Sequence, residues 1–141
     1  MLEILEKYYA DGLLHKQIHP RLDLTIWNYS QKVQYERLWD DITLQCRVLV
    51  TNSKGDIVAR PFKKFFNYDE HKPEDIPNED YVVYEKMDGS LGILFNYENE
   101  WIMTTRGSFT SPQAIKGKEL LGKYPLDKLN KNNTYLFEII Y

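Results

Sequence analysis

Strand-length apolar runs, each closed by residues suited to turns, recur along this chain and constrain its fold more than any other feature. Leu22, Leu24 and Ile26 alternate with polar neighbours up to Trp27, and Ile42 to Thr51 reads as a strand that the turn Asn52-Ser53-Lys54-Gly55 joins to Ile57–Ala59. Tyr81–Tyr84 and Leu91–Tyr97 flank Asp88-Gly89, a pair that tolerates the positive φ of a type I′ hairpin turn. Trp101–Thr105 follows the polar turn Glu98-Asn99-Glu100, and Thr134–Tyr141 is a β-branched and aromatic run. Alternation joined by connections this short predicts mainly antiparallel pairing.

A few helices complete an α+β fold. Leu2–Ala10 places apolar or aromatic residues at 2, 4, 5, 8 and 9, a helical spacing, with Gly12 as its stop. Ser111-Pro112 opens a second helix running to about Tyr124, since serine caps free amides and proline suits the first helical position; Gly117 and Gly122 weaken it. His71–Asp80, rich in acids and interrupted by Pro73 and Pro77, reads as a surface loop. With 141 residues, 43% hydrophobic and 14% aromatic, the chain can bury one core, so residues 1–141 are expected to form a single domain.

No stretch approaches the ~20 apolar residues that span a bilayer, and the N-terminus lacks a signal pattern, so a cytoplasmic protein with no membrane partner is expected. The one cysteine, Cys46, reads as a buried thiol, which excludes a cysteine metal cluster. A net charge of −3 excludes a globally basic nucleic-acid binder. Local cations remain: Arg60, Lys63 and Lys64 in one segment, and Lys116, Lys118, Lys123, Lys128 and Lys131, which read as a solvated helix face.

The run Glu85-Lys86-Met87-Asp88-Gly89-Ser90-Leu91 carries the clearest chemistry. A K-x-D-G match is short enough to arise by chance and fits an ordinary hairpin. It is also how covalent nucleotidyltransferases present a nucleophile. A free lysine, pKa near ~10.4, must then be activated by burial or by neighbouring cations. A strand over Tyr81–Lys86 would put Val82, Tyr84 and Lys86 on one face, so that the amine emerges from an apolar wall. Arg47, Arg60, Lys64 and Arg106 are the cations available to balance a triphosphate. Glu138 lies inside an apolar run, where an unpaired buried carboxylate would be costly, and Phe65 and Phe66 read equally as core aromatics.

Arg60-Pro61-Phe62-Lys63-Lys64-Phe65-Phe66-Asn67, then Lys86-Met87-Asp88-Gly89-Ser90-Leu91, Thr105-Arg106-Gly107-Ser108 and Phe137-Glu138 follow one another in an order and spacing that resemble the phage-type RNA ligase 1 family. These are ATP-dependent ligases of the lysyl-AMP superfamily, and the likeness runs over most of residues 29–141. It implies the amino-terminal portion of an adenylyltransferase domain, ending after the third motif, with ATP and Mg²⁺ as cofactors. By this resemblance Lys86 is the catalytic residue that takes AMP, and Tyr29, Arg47, Lys64, Phe66, Glu85, Gly89, Arg106 and Glu138 are ATP-binding positions. Gly89 would keep the turn tight, and Glu138 would lie near the ribose or a metal-bound water. The implied partners are RNA ends, of tRNA or another structured RNA, bearing a 5′-phosphate and a 3′-hydroxyl.

Two departures stand out. Relatives continue to an E-G and a K-x-K motif, so weak or absent adenylylation is expected of this chain alone. Val48 follows Arg47 where the family carries glycine. Two other readings of the residues stay open: a DNA ligase or capping-type nucleotidyltransferase, or a noncatalytic nucleic-acid-binding domain using the lysine-rich segment.

Overall fold

A computed structural model describes residues 1–141. The elements run α1 (Leu2–Ala10), β1 (Leu14–Ile18), β2 (Thr25–Tyr29), α2 (Gln31–Glu36), α3 (Asp41–Gln45), β3 (Arg47–Thr51), β4 (Ile57–Ala59), β5 (Ser90–Tyr97), β6 (Glu100–Thr104), α4 (Pro112–Leu121) and β7 (Tyr135–Ile139). One sheet has the order β1-β2-β3-β4 and the other β6-β5-β7, and every pairing is antiparallel. The expected α+β class is therefore what forms.

The central core lies between the sheets, where Leu24, Ile26, Val48, Val50 and Ala59 meet Ile93, Phe95, Ile102 and Phe109. Two smaller clusters cover the outer faces: Leu5 of α1 with Leu14, Trp27 and Leu49, and Leu121 of α4 with Leu94, Met103 and Ile139. Ile139 sits close enough to Gly89, Gly92 and Gly117 that a side chain at any of the three would collide with it. Gly117 thus weakens α4 in isolation but lets the helix approach the sheet.

Local chemistry explains most boundaries. Ser111 Oγ accepts the Ala114 N–H, and Gly12 (φ +77°) ends the approach from α1. Glu98 and Asn99, at φ +51° and +65°, form the tight β5–β6 turn. The expected strand over Ile42–Thr51 is corrected: Asp40 accepts the N–H groups of Ile42 and Thr43 at 2.9 and 2.8 Å, and Thr43 Oγ1 accepts the Asp40 N–H at 2.9 Å. This reciprocal cap starts α3 and leaves only Arg47–Thr51 as strand. Asp40 also accepts the Tyr8 hydroxyl at 2.8 Å, tying α1 to α3.

Between Trp27 and Asn28 the β2–β3 register shifts, leaving Val48 as an extra residue opposite the bend. Val48 has φ +67°, the left-handed region where a β-branched residue is strained, and its side chain is fully buried. Its N–H is held by Asn28 Oδ1 at 2.9 Å. Glycine, which the resemblance led one to expect after Arg47, is the residue this backbone favours.

Val48→Gly should accordingly be more stable than Val48→Ala by about 1 kcal/mol, because only alanine retains the left-handed penalty. Glycine is ordinarily the less stable of the two in a strand, so chemical denaturation reads the answer from the order alone. A second stability test concerns Asp40. Burial raises its pKa, but hydrogen bonds from Thr43, Tyr8 and Ile42 outweigh this and lower it below the ordinary value. A lowered folded-state pKa gives stability that is present above the unfolded value and lost as pH falls through the folded one. Asp40→Ala should cost about 1 kcal/mol at neutral pH, and the gap from the natural protein should narrow below about pH 4.

Candidate functional site

Lys86 lies on the approach to β5, and the strand expected over Tyr81–Lys86 does not form. β7 pairs with the opening residues of β5, Ser90 to Leu94, on one edge, whereas β6 pairs only from Ile93 onward, and the run before Ser90 pairs with neither strand. Tyr81, Val82, Val83 and Tyr84 are between 72% and 84% exposed, which corrects the expected apolar wall. Glu85 and Met87 are also exposed, and the Lys86 side chain is 87% exposed, with Asp88 Oδ1 at 3.7 Å. Gly89 is required here for a different reason from the tight positive-φ turn that was expected. Its φ is not positive, and an added Cβ would strike the Ile139 carbonyl oxygen.

Ser90 and Leu91, immediately downstream, form one wall of a cavity of about 300 Å³ that Arg47, Thr105, Arg106, Gly107 and Gln113 complete. Arg47 opens β3 of the first sheet, while Arg106 follows β6 of the second. Asn28 joins them: its amide Nδ2 donates to the Arg106 carbonyl at 2.6 Å, while its Oδ1 holds the backbone just after Arg47. The Arg106 loop is closed from within, as Thr105 N–H and Thr104 Oγ1 both donate to the Ser108 carbonyl. The Arg106 guanidinium lies 4.8 Å from the ring centre of Tyr29, and Arg47 lies 5.7 Å from that of Phe65.

Neither arginine has a carboxylate partner, since the ion pairs of this structure involve Lys16, Lys86 and Lys116. Two unpaired guanidinium groups on one cavity make an anion site. Glu138 pairs with Leu91 across β7 and β5, which puts it on the sheet face that carries Leu91 and Ile93. It is exposed at that end, so no buried carboxylate needs explaining.

Lys64 and Phe66 lie elsewhere. They line a larger cavity of about 620 Å³ with Gln34, Arg37, Trp39 and His71. Phe66 is half-buried and meets Trp39 edge to face at 5.5 Å, and Trp39 meets Tyr29 in the same way at 4.9 Å. Phe65 is 66% exposed, not a core residue. Tyr29 lines neither of these cavities but a third, which shares Arg106 with the one and Gln34 with the other. Arg60 belongs to neither, since its guanidinium donates to Gln45 Oε1 at 2.7 Å.

Sequence reasoning missed Asn28 and Trp39. A lone tryptophan before a capping aspartate gives no local signal, and the reach of Asn28 to Arg106 spans 78 positions. Cys46 is buried as expected, and burial, with Asp40 nearby, pushes its thiol up to about 12, so it stays protonated and inert. The lysine-rich segment is largely accounted for by local contacts: Lys118 donates to the Trp101 carbonyl at 2.6 Å, Lys116 pairs with Glu119, and Lys131 donates to Asn99.

Residues 45–140 match the sequence profile of an RNA ligase family. The chain is 36% identical over 98 residues to a protein of Autographa californica nuclear polyhedrosis virus provisionally named bifunctional polynucleotide kinase/RNA ligase, covering 61% of this chain and 14% of the relative. It is 34% identical over 94 residues to a provisionally named RNA ligase of Thermovibrio ammonificans, covering 64% of this chain and 24% of that one. It therefore spans a quarter or less of the length of these curated relatives. No helix is long and apolar enough to cross a membrane. The profile takes in Arg47, Lys64, Lys86, Arg106 and Glu138 together, and on that match the chain belongs to the phage-type RNA ligase 1 family.

Proposed function

We propose that this chain carries the AMP-accepting lysine of an ATP-dependent RNA ligase. Lys86 Nζ, once deprotonated, attacks the α-phosphorus of ATP; an N–P bond forms as the P–O bond to pyrophosphate breaks. AMP then passes to the 5′-phosphate of an RNA end, which frees the lysine and leaves a 5′-5′ anhydride. A 3′-hydroxyl attacks the phosphorus of that RNA end, AMP departs, and a phosphodiester remains. The same chemistry serves tRNA or any other RNA whose two ends are held together.

The observation that carries this reading is the convergence of Arg47 and Arg106, from different sheets, on a cavity whose wall continues directly from Lys86-Met87-Asp88-Gly89. Unpaired guanidinium groups suit a triphosphate, whose charge must be balanced before a nucleophile approaches. Tyr29, beneath Arg106, and Glu85, beside Lys86, belong to the same surroundings. Mg²⁺ is commonly held by one or two carboxylates together with substrate phosphates; Glu138 is exposed but lines a different cavity, with Phe137 and Ile140, so a metal would be carried here by the phosphates that Arg47 and Arg106 hold. When bound, that ion neutralises phosphate charge.

Lys86 stands in water in this structure, and reaction requires its segment to seat against the arginine cavity so that solvent is excluded. Slow adenylylation by the chain alone follows from that exposure. Incubation with α-labelled ATP and Mg²⁺ should transfer label to the protein, and Lys86→Ala should abolish the transfer. Arg47→Ala and Arg106→Ala should each slow it about ten- to hundred-fold, the worth of a lost charge-assisted hydrogen bond. Label retained in Lys86→Ala would sink the assignment, and labelling by GTP in place of ATP would point to capping chemistry.

A further inference from the structure

His19 has no part in the chemistry described so far, yet it stands where the first sheet meets the loop that presents Arg106. It directly follows β1, and its N–H donates to the Leu24 carbonyl at 2.8 Å, closing a turn that leads into β2. Inside that turn its Nδ1 accepts two backbone N–H groups, those of Arg21 and Leu22, each at 3.0 Å. Only a ring nitrogen with a free lone pair can accept, so the turn requires Nδ1 without a proton.

The same ring packs on Phe109, with centres 4.7 Å apart and planes tilted by 59°. Phe109 is buried in the central core, and Leu22 of the turn packs against that core as well. Phe109 also follows Arg106 closely along the chain. The Arg106 loop is therefore fastened to the first sheet at two points: Asn28 holds the Arg106 carbonyl, and the His19 turn holds Phe109. Between them the Ser108 carbonyl receives the Thr105 N–H and the Thr104 hydroxyl, so the anchors are joined by a closed loop rather than slack chain.

Few charges act on the ring. Arg21, on the turn itself, disfavours a second positive charge, while Glu100, at the start of β6, favours one. Asp23 is turned away to the Ser53 hydroxyl, and Arg106 faces Tyr29. Burial is the largest effect, and with Arg21 it outweighs Glu100, so the imidazole pKa lies below its ordinary value. The unfolded chain then binds the proton more readily than the folded one. Stability is accordingly lost as pH drops from about 6.5 through the folded value.

We propose that His19 is a positioning residue for Arg106: neutral, it locks the turn and seats Phe109; protonated, it gives up both accepted bonds and loosens the Arg106 loop, so that mild acid weakens anion binding at the arginine cavity. The imidazolium keeps an attraction to the Phe109 face, but that contact supplies no acceptor for the Arg21 and Leu22 N–H groups. The link to anions rests on the reading of that cavity as a phosphate site; the link from His19 to the loop does not.

The test is amide NMR of the whole chain from about pH 7.5 to about pH 5, above the range in which ordinary carboxylates take up protons. The Arg21 and Leu22 amides should shift with one midpoint below about 6.5, and those of Gly107, Ser108 and Phe109 should shift with the same midpoint. His19→Asn sets a carboxamide oxygen near the place of Nδ1 but cannot titrate, and it should abolish both sets of shifts. His15 and His71 remain in that variant, so any shift they cause persists there. Phe109→Leu keeps an apolar side chain in the core; it should preserve the shifts of Arg21 and Leu22 and remove those of Gly107 and Ser108. Inorganic pyrophosphate should bind the natural protein several-fold more weakly, relative to His19→Asn, at the acidic end than at the neutral end. Protonation of the ligand cancels in that ratio. Loop amides that ignore the His19 midpoint, or that shift equally in His19→Asn, would overturn the proposal, as would a binding ratio that stays constant with pH. Failure of both proteins to bind pyrophosphate at any pH would instead overturn the phosphate reading of the cavity, and the amide shifts would decide the link from His19 to the loop.

Discussion

The side-chain amide of Asn28 is the contact on which the arrangement of this molecule turns. Its oxygen takes the N–H of Val48 and its nitrogen gives a hydrogen bond to the carbonyl of Arg106, so one planar group bridges the two sheets. Each bond alone is worth only about 1 kcal/mol net, but a partner left unsatisfied in a part-buried setting costs about 1–3 kcal/mol. The amide therefore does two things that no apolar residue could do. It holds Val48 in a left-handed conformation, and it fixes the loop that presents Arg106 against the strand that presents Arg47.

Sheet order sets the second constraint. The segment ahead of β5 joins neither sheet, and the lysine that the motif singles out lies on exposed backbone rather than on a rigid strand. Segments with few buried contacts sit at the low end of local stability, and they are where moving parts of binding sites are found. The exposed run Tyr81–Tyr84 is apolar enough to favour seating against another surface over staying in water. The chemistry proposed for Lys86 needs that seating.

Elements governed by local chemistry were readable from the chain. The Ser111 cap, the Glu98-Asn99-Glu100 turn and the Leu2–Ala10 helix each depend on residues within a few positions of one another. One error was local: Ile42–Gln45 has strand-like composition, yet the cap from neighbouring Asp40 turns it helical. The others arose where distant contacts decide. The hairpin expected at Asp88-Gly89 does not form, Ser90 pairs instead with Ile139 of β7, and Gly89 itself is needed for the close approach of Ile139 rather than for turn geometry. β1 and α2 went unread because their apolar residues are few and irregularly spaced. The order of the family motifs along the chain did not reveal that Lys64 and Phe66 line a different cavity from Arg47 and Arg106.

That separation has an electrostatic logic. The chain carries 21 acidic and 18 basic side chains, so a protein at −3 has ample carboxylates to neutralise every cation it displays. Yet Arg21, Arg37, Arg47, Arg60, Arg106 and Lys64 all lie outside its ion pairs, which use only lysines 16, 86 and 116. An exposed pair contributes at most about 1 kcal/mol, so leaving these groups unpaired costs the fold little. It leaves positive charge uncompensated at the cavity lined by Arg47 and Arg106, whereas Asp69, Glu70 and Asp75 balance the cations of the other. Such a surface admits phosphates at the arginine cavity while discouraging nonspecific coating by nucleic acid.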